Sequence, residues 1–338
     1  MDLRKRRTVH SDSVWTAWAS GRGGMRNIAA LVLMFAVAPV GAKAQTVPDW
    51  AQIESVEVNA KPGPAVWHLT RGNSEVWILG LVGAMPKDMD WNKQYLSELF
   101  DGAHAILMPP KANIALTDIA WFLIRHGGEL SLPRGQALEE GLPDDLRARF
   151  LAARDAVGGD VNDYRTDIPI RAATRLQQDF VKKAGLSPRE PRETIVDLAS
   201  DKRIHSTPVT RFEMMDAIRD ILKLTPPQQR VCLAQAVEDV AWGLAHAAPA
   251  ARAWAVGDIK TVKANYSESR LVNCISAAVQ AIGDINARNS AEYVTAIDAA
   301  LNQPGKTIVV IGMGSLLRKD GVLERLQAQH IAIEGPAE

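Results

Sequence analysis

The chain has no excess of charge: across 338 residues, 39 Lys and Arg stand against 39 Asp and Glu. That balance argues against a polybasic nucleic-acid binder and against an acidic disordered tail. Cysteine is scarce. The two residues present, Cys232 and Cys274, are too few for a disulfide scaffold or an all-thiolate zinc site. No apolar run reaches the ~20 residues of a membrane-spanning helix, and a mean hydropathy of −0.09 rules out a polytopic membrane protein. Metal-binding spacings are missing too. There is no C-x-x-C and no H-x-x-x-H, and the histidines from residue 45 on (His68, His104, His126, His205, His246 and His330) stand at least 22 residues apart. A lone histidine is more often a surface or hydrogen-bonded residue than a ligand. No repeat of solenoid length occurs, and no linker rich in Ser, Gly or Pro divides the chain.

What the first 44 residues hold is different in kind from the rest. Ile28 to Val40 reads IAALVLMFAVAPV, an apolar run of 13 residues preceded by Arg26 and followed by Ala42-Lys43-Ala44. Its length and the A-x-A site predict a secretory signal peptide cleaved after Ala44, rather than an uncleaved anchor. Met25-Arg26-Asn27 reads as a more ordinary start than the long leader from Met1. The expected mature chain, residues 45–338, is periplasmic or secreted and keeps no membrane span. Residues 1–44 hold seven Lys or Arg and two Asp or Glu, so residues 45–338 carry a formal charge of −5. The neutral balance belongs to the precursor, and the mature protein is a still poorer partner for nucleic acid. In an oxidising compartment Cys232 and Cys274 are expected to pair.

Along that chain, Pro64–Thr70 and Glu75–Gly80 are β-rich runs flanking Arg71-Gly-Asn-Ser74, which predicts a hairpin. A helix is expected from Asp90 to Phe100, a short strand over Ala105–Met108 ended by Pro109-Pro110, and a helix over 117–126 with Thr117 as its N-cap. The middle reads as helical: 143–157, 169–184, 214–222, and alanine-rich helices from the Thr225-Pro-Pro-Gln228 capping box to about Leu301. Pro208–Phe212 reads as one strand. The end reads β-α-β: Thr307–Gly312, Gly321–Gln329 and His330–Ile333. The expectation is an α/β fold of one domain, its sheet built from N- and C-terminal segments around a helical middle.

Motifs for common chemistries fail one by one. Ala300-Leu-Asn-Gln-Pro-Gly-Lys-Thr307 approaches a phosphate loop, but a helix precedes it and a strand follows, the reverse of what phosphate binding needs. Gly312-Met-Gly-Ser315 follows a buried strand, yet Leu317 stands where a dinucleotide loop needs its third glycine. Met313 likewise spoils a G-x-S-x-G elbow at Ser315. The tryptophans (Trp50, Trp67, Trp77, Trp91, Trp121, Trp242, Trp254) invite comparison with a sugar-binding platform, but their placement in regular elements predicts core packing.

Six segments, taken in order, carry a resemblance. They are PAVWHLTRGNSEVWILGLVGAMP, AHAILMPPK, PVTRFEMMDAI, ARAWAVGDI, INARNSAEYV and KTIVVIGMGSLLRKDGVLERLQAQHIAI. Together they resemble the TraB/GumN family, relatives of the Tiki membrane metalloproteases. The resemblance implies a sheet whose strand ends carry two G-x-x-H motifs and a glutamate as metal ligands or catalytic groups. Here those positions have changed. In Gly80-Leu-Val-Gly83 the histidine position is Gly83, in Gly312-Met-Gly-Ser315 it is Ser315, and the glutamate position is Pro109. None offers an imidazole or carboxylate to a divalent metal. Glu213 and Arg288 remain at family positions, where a structural role is the expectation for each. The resemblance therefore implies a pseudoenzyme with no metal and no cofactor: a binding or accessory protein for a peptide, glycan or envelope protein. The alternatives are a hydrolase with a displaced site, using Ser315, Glu213 and a histidine such as His68 or His205, and a structural partner in envelope polysaccharide export.

Overall fold

A computed structural model describes residues 49–51, 56–57, 63–187 and 189–336. The proposed leader and its cleavage site lie outside the described residues. The N-terminal part supplies β1 (Val56–Glu57), β2 (Val66–Arg71), β3 (Ser74–Leu81), β4 (Met85–Pro86), α1 (Lys93–Phe100), β5 (Ala103–Met108) and β6 (Lys111–Asn113). The hairpin between β2 and β3 closes as expected, with Gly72 at φ +60° in the first loop position, a conformation that costs glycine nothing. The α1 helix starts at Lys93 rather than Asp90, because Asn92 is its cap, with Oδ1 accepting from the Tyr95 N–H at 2.9 Å.

The helical middle holds α2 (Leu116–His126), α3 (Asp144–Ala156), α4 (Pro169–Lys183), β7 (Leu186–Ser187), α5 (Arg192–Asp201), β8 (His205–Pro208), β9 (Arg211–Glu213), α6 (Met215–Leu222), α7 (Pro226–Ala255), α8 (Ile259–Asn265), α9 (Arg270–Ala278) and α10 (Gln280–Leu301). Two expectations change here. The strand expected over Pro208–Phe212 is two strands, β8 and β9, which follow β5 and β6 in parallel. Thr117 does not cap α2; the helix begins one residue earlier and its cap position is Ala115. The capping box at the start of α7 is present, with Gln228 Oε1 accepting from the Thr225 N–H at 2.9 Å.

The C-terminal part adds β10 (Gly305–Gly312), α11 (Met313–Leu317), α12 (Val322–Ala328) and β11 (Glu334–Gly335). The last strand is thus shorter and later than His330–Ile333. Strand order in the main sheet is β1-β11-β2-β3-β10-β5-β8. The buried β10, with Ile308 to Ile311 fully enclosed, lies parallel between β3 and β5. The two chain ends meet in one sheet, as expected.

Two apolar clusters result. One wraps the sheet, with Trp67, Ile78, Trp254 and Val310 among its members. The other fills the helical middle, with Phe150, Leu176, Ile218 and Leu233. The α7 helix runs through both: Cys232 to Val240 in the helical cluster and Ala251 to Ala255 in the sheet cluster. Cys232 and Cys274 form a disulfide that joins α7 to α9. Seven residues further along α7, the Asp239 carboxylate accepts from the Arg270 and Leu271 N–H groups and the Ser269 hydroxyl, at 2.9, 3.1 and 2.9 Å. It therefore satisfies donors at the start of α9 that no helix can satisfy internally. Burial raises its pKa, and those hydrogen bonds only partly offset the effect.

Candidate functional site at the carboxyl ends of the parallel strands

The parallel strands end together. Gly312 of β10 pairs with Leu81 of β3, and Met108 of β5 pairs with Pro208 of β8. Gly83 lies two residues beyond β3, Pro109 directly after β5, and Ser315 three residues beyond β10. The topology thus brings Gly83, Pro109 and Ser315 to one edge, where open α/β sheets place their ligands. Glu213 ends β9 at the same side, in register with Asn113 of β6.

Several glycines and tryptophans of these segments have packing duties. A Cβ on residue 80 would stand 2.9 Å from Met313 Cε and 3.1 Å from Trp67 Cζ3. The Gly80 carbonyl accepts from Trp254 Nε1 at 2.5 Å, so the tryptophan of the W-x-x-G-D stretch is buried against the end of β3. Its glycine, Gly257, holds φ +78° after α7, and its aspartate caps α8, with Asp258 Oδ1 accepting from the Thr261 N–H at 2.9 Å. Glu213 accepts from Asn113 Nδ2 at 2.6 Å, linking β9 to β6. Arg288 is exposed, and its Nε donates to the Asp284 carbonyl at 3.3 Å within α10.

The two glycine-motif corners differ sharply. Gly83 is exposed, and nothing lies within 4 Å of where its Cβ would be. Ser315 is 4% exposed, within α11. Beside it, a Cβ on Gly314 would meet Glu268 Oε1 and Tyr266 Oη, each at 2.8 Å. The Gly314 N–H donates to the Tyr266 phenol. Glu268 is hydrogen-bonded to Asn273 and stands 4.0 Å from Arg318 Nη1. Arg318 Nη2 donates to Ser290 Oγ at 3.3 Å, and the Trp50 ring lies 5.8 Å from that of Tyr266. Burial raises the pKa of Tyr266 and Glu268 and lowers that of Arg318. For Glu268, the pull of Arg318 toward ionisation does not overcome desolvation.

Sequence reasoning missed Tyr266, Glu268 and Arg318. Tyr266 and Glu268 lie in the connection between α8 and α9, and Arg318 directly follows α11. No spacing rule ties those places together. The crowded Gly314 is the only local trace they leave, and a glycine has many other uses.

Residues 65–335 match the TraB/PrgY/gumN family. The chain belongs to that family. Comparison with curated proteins and with solved structures returns no match. The metal site that the family resemblance implies can therefore be tested only on these residues, and they do not fit it. Gly83 has no side chain, Pro109 has no ligand atom, and Ser315 offers one neutral hydroxyl in an enclosed corner. Among the described residues, no group of three His, Cys, Asp or Glu is arranged to hold a metal ion.

The other histidines of interest lie elsewhere in the sheet. His68 pairs with Trp77, which pairs with Ile308, four residues before Gly312 and about 13 Å back along the strand. His205 is level with Ala105 and Thr307, about 16 Å back. His68 has its own partners: Nδ1 lies 3.0 Å from Glu334 and Nε2 lies 3.2 Å from Glu75, and the ring stacks on Trp77. Most tryptophans pack as expected, with Trp67, Trp91 and Trp254 buried. Trp121 is the exception at 61% exposed.

Proposed function

We propose that this TraB/PrgY/gumN family member is a non-hydrolytic binding or accessory protein that works outside the cytoplasm. The observation that carries the reading is the pair of corners at the carboxyl edge. At one, residue 83 carries no side chain, and beside the other stand Tyr266, Glu268 and Arg318. A metal-activated water needs an open coordination position held by imidazole or carboxylate groups, and neither corner supplies one. The open side at Gly83 leaves room for an extended peptide or glycan, or a segment of an envelope protein. Export is supported by the leader-like residues 28–44, by the Cys232–Cys274 disulfide, and by the absence, among the described residues, of a helix long and apolar enough to cross a membrane.

The test is to purify the exported chain, measure bound metal by mass spectrometry, and assay peptidase and esterase activity with added Zn, Mn and Co. The expected result is substoichiometric metal and no turnover. Stoichiometric metal, or turnover abolished by a chelator, would overturn the proposal. Turnover that survives a chelator and disappears in Ser315→Ala would replace it with a displaced-site hydrolase.

A further inference from the structure

The main sheet holds a charged group that the carboxyl edge does not use. Along β2, Trp67 and Leu69 are buried while His68 between them is only partly so, which puts its side chain on the opposite face from theirs. Register sets His68 beside Trp77 of β3 and beside Glu334 of β11. The imidazole stacks on the Trp77 ring, with centroids 4.0 Å apart, and stands between two carboxylates. Its Nδ1 lies 3.0 Å from Glu334 Oε2, and its Nε2 lies 3.2 Å from Glu75 Oε2.

Those partners constrain the ring. An ionised carboxylate only accepts hydrogen bonds, and a neutral imidazole has one N–H to give. Glu75 Oε2 already acts as an acceptor, because Trp77 Nε1 donates to it at 3.0 Å. With both carboxylates ionised, the two contacts are both hydrogen bonds only when His68 carries two ring protons and a positive charge. That charge also lies against the face of an indole, which attracts cations. A further charged group, Lys306 of β10, has its ammonium 5.5 Å from the Trp77 centroid and donates to the Asp101 carbonyl. On β2 itself, Arg71 is engaged by Asp298 of α10 at 2.8 Å.

His68 also sits where the end of the chain is attached. The β11 strand meets β2 at one register pair, Glu334 with His68, and β11 in turn pairs with β1. Weakening that contact loosens β11 and β1 together. Histidine is the side chain that ordinarily changes charge between about pH 5 and 8.

We infer that His68 is a proton-operated clasp on the C-terminal strand. Charged, it bridges Glu75 and Glu334 and fastens β11, with β1 behind it, to the sheet. Neutral, it can donate to only one of them and leaves two carboxylates on either side of an uncharged ring. The clasp is closed in mild acid and loosens as pH rises through the histidine range. This stands independently of whether the carboxyl edge hydrolyses anything.

Hydrogen exchange of the chain at about pH 5.5 and about pH 8, on either side of the histidine range, tests it. The reading is the protection factor of residues 331–336, which removes the intrinsic pH dependence of exchange. Protection should fall about three- to fivefold at the higher pH, the scale of a partly exposed ion pair. His68→Phe keeps an aromatic ring on Trp77 but has no N–H, and should show the low protection at both pH values. Glu334→Gln can accept from a charged ring and donate to a neutral one, so its protection should not change with pH. Other histidines titrate in the same range, His330 included, and the difference between the parent and His68→Phe removes them. In the unaltered chain, the amide resonances of Glu334 and Gly335 should shift with the same midpoint as the His68 ring protons. Equal protection of the parent at both pH values, a fall that persists undiminished in His68→Phe or Glu334→Gln, or midpoints that differ would overturn the inference.

Discussion

The corner after β3 and the corner after β10 both follow parallel strands at the carboxyl edge of the sheet, yet they are built in opposite ways. At the first, Gly83 leaves open, solvated space. At the second, Ser315 is enclosed and its neighbour Gly314 touches a buried Tyr-Glu-Arg cluster. One corner is open and the other enclosed. On the reading proposed above, neither offers a metal the imidazole it would need. The contrast also means that the two corners should answer the same substitution differently.

The largest contrast should come from placing histidine at each corner. Ser315→His adds an imidazole where the side chain is 4% exposed. Overpacking of an enclosed position usually costs about 1–3 kcal/mol and sometimes more, and the added polar ring would also need a partner. A loss of about 3 kcal/mol is expected in urea unfolding. A variant as stable as the parent would show that the second corner opens readily, and the contrast would collapse.

Gly314→Ala is a smaller probe of the same crowding. Its Cβ would meet Glu268 Oε1 and Tyr266 Oη at 2.8 Å, so the buried cluster must shift. About 2 kcal/mol of destabilisation is expected. Gly80→Ala makes a useful companion, because its nearest neighbour is the flexible end of Met313, which can yield more cheaply.

How much of this was legible beforehand divides along the same line. The hairpin at Gly72, the buried strand ending at Gly312, the α7 capping box and the meeting of the two chain ends rest on local patterns, and these survive folding. That residue 83 offers no side chain could be read directly, since a glycine needs no structure to interpret. The filling at Ser315 could not. Tyr266 and Glu268 come from a connecting segment 44 to 49 residues upstream of Gly312–Ser315, and only the folded packing brings them to Gly314. Trp121 was misjudged for a related reason. The α2 helix carries large apolar residues on its outer face as well, beside Asp118 and Arg125, and composition alone does not say which of them the core takes.

The charge state of the filled corner gives a third, gentler test. With its pKa raised by burial, Glu268 holds its proton in the folded chain at pH values where the unfolded chain has released it. Stability from this group is therefore complete below the ordinary carboxylate range and is lost as pH rises through it, by at most about 1.4 kcal/mol per pH unit. Asp167 and Asp239 are also raised and contribute the same sign, so the informative quantity is the stability of the parent minus that of Glu268→Gln. That difference should fall as pH increases from about 4, the ordinary carboxylate value. If it rises instead, Arg318 controls the carboxylate and the corner holds a true ion pair.

The smallest effect belongs to the empty corner. Gly83→His places a side chain where nothing lies within 4 Å and where the backbone is outside the positive-φ region that would strain it. A surface change of this kind usually moves stability by less than about 0.5 kcal/mol, and replacing glycine can even add a little by restricting the unfolded chain. The urea midpoint should therefore stay within error of the parent. The same variant probes chemistry: one imidazole, at a sheet edge where Ser315 is enclosed and Pro109 has no ligand atom, should not retain Zn through gel filtration. Retention at one equivalent would mean that donors near Gly83 complete a site after all, and the two corners would then differ in occupancy rather than in kind.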